Sequence, residues 1–215
     1  MMKSITLCLL FSFYLSTALA GYSDGFITEG EYEFGVTWRS YNPPLVVDGG
    51  GADIIEVRDS GRLIVKSTSN PLSLYTFGGV YDIYLFNNSQ LLYLDGVTEL
   101  INVGSNATAI LKGGSINWIK SMQQPIGWGP DGQPIGHINL YALPGWSYIS
   151  NNPLIGIEGQ WWDGSPFRIQ FINHANYPPV WQNINVIIPE PATLMLLGLG
   201  GLLMRRIGRM RAIHS

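Results

Sequence analysis

The 215-residue chain has 15 acidic and 12 basic residues, a formal net charge of −3 at pH 7, and one cysteine. A single cysteine excludes an intrachain disulfide and a multi-thiolate metal site. Residues 21–188 carry seven basic and fourteen acidic side chains, and such an acidic body excludes nucleic acid as a partner, since phosphate binding needs a basic surface.

The first twenty residues have the layout of a secretory signal peptide. Lys3 precedes an apolar run, residues 5–15, and residues 18–20 read Ala-Leu-Ala. This order of positive charge, apolar stretch and small residues predicts export and cleavage by signal peptidase after Ala20. The cysteine, Cys8, lies inside this segment, so we expect no thiol in the mature chain.

Three stretches of the first half, residues 55–65, 83–93 and 101–111, align without gaps. Each has apolar residues two apart, a polar turn of Asp, Asn or Ser, and a second apolar pair. Alternation with a period of two predicts short strands with one face toward a core and one toward water. Glycines that permit corners with positive φ precede each unit, at Gly49–Gly51, Gly78–Gly79, Gly96 and Gly113–Gly114, the last before a partial fourth unit with Ile116 and Ile119.

We interpret residues 21–122 as a region of β-solenoid-like repeats, a short parallel β-helix whose turns stack on one another. The predicted core residues are Ile55, Val57, Leu63, Val65, Ile83, Leu85, Leu91, Tyr93, Ile101, Val103 and Leu111. The alternative is a sandwich of consecutive hairpins, in which Asn87-Asn88 or Ser60-Gly61 would form the turns. In both cases turn formation explains the polar corners better than calcium binding.

Residues 123–134, QQPIGWGPDGQP, are rich in Pro and Gly and predict a loop. Residues 135–188 follow as a β-rich segment, an antiparallel hairpin or sandwich. Its expected strands are residues 137–143, 154–161, 166–173 and 181–188. The Asp163-Gly164 pair between two alternating runs predicts a hairpin.

The candidate catalytic groups are Glu158 and Asp163 as a carboxylate pair, with His137 or His174 as a base. Asp163 also suits a turn and Glu158 a solvated strand, so we predict no catalytic residue. The two histidines lack a third ligand at a telling spacing, and no nucleotide-binding motif occurs, so no metal or cofactor is expected. A polysaccharide-active enzyme of the β-helix type, a lyase or hydrolase, is the alternative.

Tryptophans concentrate after residue 115. Flat rings beside Asn, Gln and Asp can stack on sugars, so we select Trp161, Trp162, Tyr177 and Trp181 as candidate glycan contacts. Because Trp161 and Trp162 are adjacent, at least one must point away from the core if they lie on a strand. The alternative is that these rings fill a small β core.

The C-terminal part begins with Pro189-Glu190-Pro191, continues with an apolar stretch, residues 192–204, and ends in a basic cluster of Arg205, Arg206, Arg209 and Arg211. Proline suits the first turn of a helix and glutamate its positive end, so a hydrophobic helix is expected. Thirteen helical residues rise about 20 Å, against roughly 30 Å of hydrocarbon. We therefore expect a transient membrane tether with its arginines in the cytoplasm.

Residues 189–206 resemble the PEP-CTERM sorting signal of exported bacterial proteins, through the Pro-Glu-Pro motif, the Gly198–Gly201 segment and the arginines; a basic tail, residues 207–215, follows. The resemblance implies that a membrane-embedded exosortase removes the tail and releases or attaches the protein at the cell surface, often beside exopolysaccharide. The resulting hypothesis is a structural or adhesive surface or matrix protein with carbohydrate contact. A pure glycan-binding module is a further alternative.

Overall fold

The computed structural model describes residues 25–39, 43–68, 79–104, 106–121, 136–175 and 178–189. These residues form short strands and two 3-10 turns, which confirms the all-β prediction. The strands are β1 (Phe26–Thr28), β2 (Tyr32–Trp38), β3 (Leu45–Asp48), β4 (Gly51–Val57), β5 (Arg62–Ser67), β6 (Val80–Leu85), β7 (Gln90–Tyr93), β8 (Val97–Val103), β9 (Thr108–Leu111), β10 (Ser115–Lys120), β11 (His137–Tyr141), β12 (Ser147–Tyr148), β13 (Gly156–Gln160), β14 (Pro166–Ile172) and β15 (Ile184–Ile187).

Consecutive strands from β1 to β12 alternate between two sheets. Sheet A has the order β1-β3-β5-β7-β9-β11-β15, and sheet B has the order β12-β13-β14-β10-β8-β6-β4-β2. Neighbouring strands are parallel except at β12–β13 and β13–β14. Successive strands therefore lie in different sheets, and the alternative of consecutive hairpins is wrong for the described strands between residues 45 and 120.

Residues that match in the gapless alignment of the three repeats lie opposite one another in the sheets. Ile83 of β6 lies opposite Ile55 on one side and Ile101 on the other. In sheet A, Leu91 lies between Leu63 and Ala109. All eleven predicted core side chains are buried, with at most 1% of their surface exposed. Each buried aliphatic side chain of this size contributes roughly 1.5–3 kcal/mol, so the interior columns are the main source of stability.

The polar corners are tight turns with one repeated hydrogen bond. The amide of Gly61 donates to the carbonyl of Arg58 at 2.8 Å, and Ser89 and Ala107 make the same bond one and two turns later. The left-handed backbone in these corners falls on Asp59, Asn87 and Asn106, residue types that tolerate it. The Asn87 side chain also donates to the Asp59 carboxylate at 3.2 Å, which links adjacent corners.

The second half continues both sheets. Strands β11 and β15 extend sheet A, and β14 pairs in parallel with β10 in sheet B. The predicted hairpin is confirmed as β13–β14. Residues 181–183, expected in a strand, belong instead to the 3-10 turn Val180–Asn183. The expected signal peptide, Pro/Gly loop and C-terminal helix lie outside the described residues.

The glycine corners predict a specific stability loss. Gly79 has φ of 113°, and a Cβ there would lie 2.1 Å from the carbonyl oxygen of Val97. We expect Gly79→Ala to lower the free energy of unfolding by about 2–4 kcal/mol, because strain and a backbone clash add. Urea denaturation measures the change.

Gly145→Ala is the matched control, since Gly145 has φ of 103° but no described heavy atom within 4 Å of the added Cβ. It should lose only the strain contribution of about 1 kcal/mol. Equal losses in the two variants would contradict the close approach at Gly79.

Candidate functional site

The two adjacent tryptophans face opposite ways. Trp161 is fully buried, its indole N–H donates to the carbonyl of Gly114 at 2.8 Å, and its ring centroid lies 4.5 Å from that of Phe167. Trp162 is 53% exposed. The prediction that one ring points away from the core is confirmed. The choice of Trp161 as a glycan contact is wrong, because its ring has no surface left for a ligand.

The other predicted site residues divide between described and undescribed parts of the chain. Trp181, in the 3-10 turn, is half-buried and packs against the core. Pro189 is the only described residue of the Pro-Glu-Pro motif. Tyr177, Glu190, Pro191 and the four arginines of the basic cluster lie outside the described residues.

Each candidate catalytic carboxylate has a structural partner. Glu158 forms an ion pair of 2.7 Å with Arg168, which lies directly opposite it in the β13–β14 hairpin. Asp163 accepts from the amide of Ser165 at 2.9 Å and from its hydroxyl at 2.6 Å, and this hydroxyl holds the pKa of Asp163 below its usual value. His137 lies on sheet A, whereas Glu158 lies on sheet B. These groups therefore stabilise turns and strands.

A different group of polar and aromatic side chains lies on the outer face of sheet B. In β6, Val80, Ile83 and Leu85 are buried, whereas the intervening Tyr81, Asp82 and Tyr84 are partly exposed. β10 repeats this pattern. Parallel register stacks the residues between the core positions into columns, which are Glu56–Tyr84–Asn102–Lys120 and Ile54–Asp82–Leu100–Trp118. Of these, Asn102 is buried and the others are at least partly exposed.

We call this surface the carboxylate–aromatic face, defined by Glu56, Asp82, Tyr84, Glu99, Trp118 and Lys120. Contacts between side chains fix its groups. The Tyr84 hydroxyl donates to the Asp82 carboxylate at 2.9 Å. The Asn117 amide donates to Glu99 at 2.6 Å from the neighbouring strand. These bonds hold two of the three carboxylates in defined orientations.

Arg58 and Phe86 border this face at the corner that follows β4 and β6. The rings of Tyr84 and Phe86 are stacked, with centroids 6.3 Å apart and planes 9° from parallel. The Arg58 guanidinium lies 4.5 Å from the centroid of Phe86 and pairs with Glu56 at 2.9 Å. The positive charge of Arg58 is therefore balanced by an ion pair with Glu56 and a cation–π contact with Phe86.

Burial changes the acid–base behaviour of the face. It raises the pKa of Asp82; the hydrogen bond from Tyr84 works against this rise, nearby Glu99 adds to it, and Lys120 opposes it. Burial and the Asp82 carboxylate raise the pKa of Tyr84 to about 12. Asp82 therefore keeps its proton to a higher pH than a free aspartate does, while Tyr84 stays a hydrogen-bond donor at neutral pH.

Sheet A carries a shallow groove of about 250 Å³ on its outer face. It runs between a polar column and an apolar one and is lined by Arg62, Leu63, Ile64, Gln90, Leu91, Leu92, Thr108 and Ile110. Arg62 is the one charged group among these residues. The concentration of carboxylates, amides and aromatic rings is on sheet B, which makes the carboxylate–aromatic face the stronger candidate site.

Sequence reasoning did not select Asp82, Tyr84 or Glu99. The repeat alignment could have identified these residues, because the positions between the aligned core residues are paired across strands in the same register as the core. Reading down those positions places Glu56, Tyr84 and Lys120 in one column.

Comparison with known proteins identifies the C-terminal segment. Residues 188–211 match the family model described as the PEP-CTERM protein-sorting motif. The chain is thus an exported protein that carries a substrate signal for exosortase processing at the membrane, and the predicted resemblance is confirmed. No curated protein and no solved structure matches the chain.

Two further searches cover only the described part of the chain. No helix there has the length and apolar character needed to cross a bilayer. Within the same ranges, no three His, Cys, Asp or Glu side chains come together as a metal site.

The adjacent tryptophans predict contrasting stabilities. Trp161→Ala removes a fully buried ring and its hydrogen bond, so we expect a loss of about 3–5 kcal/mol in the free energy of unfolding. Trp162→Ala, its matched control, should change stability by less than about 0.5 kcal/mol. Chemical denaturation followed by tryptophan fluorescence compares the two, and similar losses would contradict the burial difference.

Asp82 predicts a pH-dependent stability change. Because its pKa is raised by folding, its contribution is most favourable below the unfolded-state pKa and is lost as pH rises through the folded-state pKa. Asp82→Asn should raise the Tm at pH 7 by about 1–2 °C, and this gain should shrink below about pH 4. Asp163→Asn should act with the opposite sign at pH 7, since folding lowers that pKa. Thermal melts across this pH range test both, and a pH-independent difference for Asp82→Asn would contradict the assignment.

Proposed function

We propose that the protein is a structural or adhesive component of the cell surface or extracellular matrix. Its precursor is tethered to the membrane through residues 192–204, and exosortase then removes the tail. The PEP-CTERM match at residues 188–211 is the observation that carries this proposal. The signal-peptide pattern of residues 1–20 supports it, because both segments belong to one export route.

We infer that the exported body is a parallel β-solenoid. Three observations support this architecture: alternation of successive strands between two sheets, parallel pairing within each sheet, and repeated corner hydrogen bonds. Such a body is stabilised by contacts between neighbouring turns and presents long, regular outer faces. Regular faces suit a protein that contacts a matrix along its length.

Carbohydrate contact is part of the proposal. Trp162, exposed at the end of the β13–β14 hairpin, offers a free ring for stacking on a sugar. Trp181 offers part of its ring. Both lie in the half of the chain from which the tail is removed, and the processed end would bring them close to the surface polymer.

A second candidate function is hydrolysis of a glycan, and Asp82 is the observation that favours it. A half-buried carboxyl with a raised pKa, close to the negative charge of Glu99, is the kind of group that serves as a general acid. Release of reducing ends from a polysaccharide, abolished in Asp82→Asn, would support this function over the adhesive one.

Mass spectrometry of the protein recovered from its own cells tests the sorting proposal. We expect a product that begins at Gly21 and ends near Pro189, because signal peptidase and exosortase each remove one terminal segment. Added mass at the new C-terminus would indicate attachment, and its absence would indicate release. A product that retains Arg205 and Arg206 would overturn the processing step and leave the tail as a simple anchor.

A further inference from the structure

We propose that the carboxylate–aromatic face of sheet B binds an extended, neutral polysaccharide that runs along the axis on which the turns stack. The inference rests on the proposed surface function, since that function places the protein among glycans. It assigns the main glycan contact to Asp82, Tyr84 and Trp118, on a surface separate from the exposed turn at Trp162.

The repeat of the face fits an extended sugar chain. Neighbouring strands of a sheet lie about 4.8 Å apart, a distance close to the length of one residue in an extended β-1,4-linked polysaccharide. The columns of outward residues follow this spacing across β4, β6, β8 and β10. One sugar residue per strand would therefore keep the sugar chain in step with the strands across the face.

The side chains of the face supply the contacts that sugars need. Trp118 is partly exposed and lies in the same column as Asp82, two strands further along sheet B. Asp82 and Glu99 accept hydrogen bonds from hydroxyl groups, and Lys120 donates them. Asp82 and Glu99 are each already fixed by one donor, Tyr84 and Asn117 respectively. Little side-chain freedom is lost when such oriented groups bind a ligand.

Charge decides between a neutral and an acidic glycan. Arg58 pairs with Glu56 and also lies over the Phe86 ring, so the charges of Arg58 and Glu56 cancel. Asp82 and Glu99 then remain against Lys120, which leaves the face with a net negative charge. A uronic-acid polymer would meet net repulsion here, and like charges brought together at an interface disfavour binding. The face therefore fits a hydroxyl-rich neutral chain.

Affinity electrophoresis with two polymers of one backbone tests the proposal. The processed protein from its own cells is run in native gels that contain hydroxyethyl cellulose, which is neutral, or carboxymethyl cellulose, which is anionic. We expect retardation by the neutral polymer and none by the anionic one. Trp118→Ala should weaken the neutral interaction about tenfold, and Tyr141→Ala, an aromatic change on sheet A, should leave it unchanged.

A charge variant keeps the test independent of any folding defect in Trp118→Ala. Replacing both Asp82→Asn and Glu99→Gln should let carboxymethyl cellulose retard the protein, because two negative charges are removed. Failure of the wild type to bind hydroxyethyl cellulose, or equal binding of both polymers, would overturn the assignment. So would a loss caused by Trp162→Ala but not by Trp118→Ala.

The mass spectrometry and the gel experiments test the two proposals independently. Correct termini without polymer binding would reject this face and leave the surface function standing. Retained arginines with selective polymer binding would reject exosortase processing and leave the face standing.

Discussion

Each strand must place its inward side chains beside those of its neighbours in the same sheet, because parallel strands share hydrogen bonds only at a fixed register. Ile55, Ile83 and Ile101 form one such column. The tight corners between strands accommodate this register, because Asp, Asn and Gly take up the left-handed backbone there. The same register also aligns the residues between the core positions, so they form columns on the outer face of the sheet. The register that packs the core therefore also brings the residues of the carboxylate–aromatic face together.

The predictable part of the fold was the part that repeats. Residues 55–65, 83–93 and 101–111 share one spacing, and that spacing alone predicts the buried set and the polar turns. It left the pairing partners open between stacked repeats and consecutive hairpins. Strands β1 to β3 were not predicted, because their apolar residues do not align with the repeat. The 3-10 turn at Val180–Asn183 was predicted as a strand, since short apolar runs do not distinguish the two.

The site was harder to predict than the core for a physical reason. Core positions are selected by one property, burial, which sequence periodicity reports directly. Asp82 acquires its raised pKa from partial burial and from Glu99 on a neighbouring strand, and neither is visible in the residues adjacent to it. Glu158 and Asp163 were selected as catalytic candidates because both are acidic and close in sequence. In the structure, Glu158 forms an ion pair with Arg168, and Asp163 accepts a hydrogen bond from the Ser165 hydroxyl. Two acidic residues that are close in sequence therefore need not form a pair of carboxylates available for catalysis.

Strand β15 ends at Ile187, two residues before Pro189, and is held in sheet A by its pairing with β11. A surface attachment at the processed end would therefore pull first on these four residue pairs, Ile138–Tyr141 against Ile184–Ile187. A load along the strand would shear all the pairs at once, whereas a load along the stacking axis would peel them in succession. The mechanical strength of the attached protein would then depend on the direction of flow or traction at the cell surface.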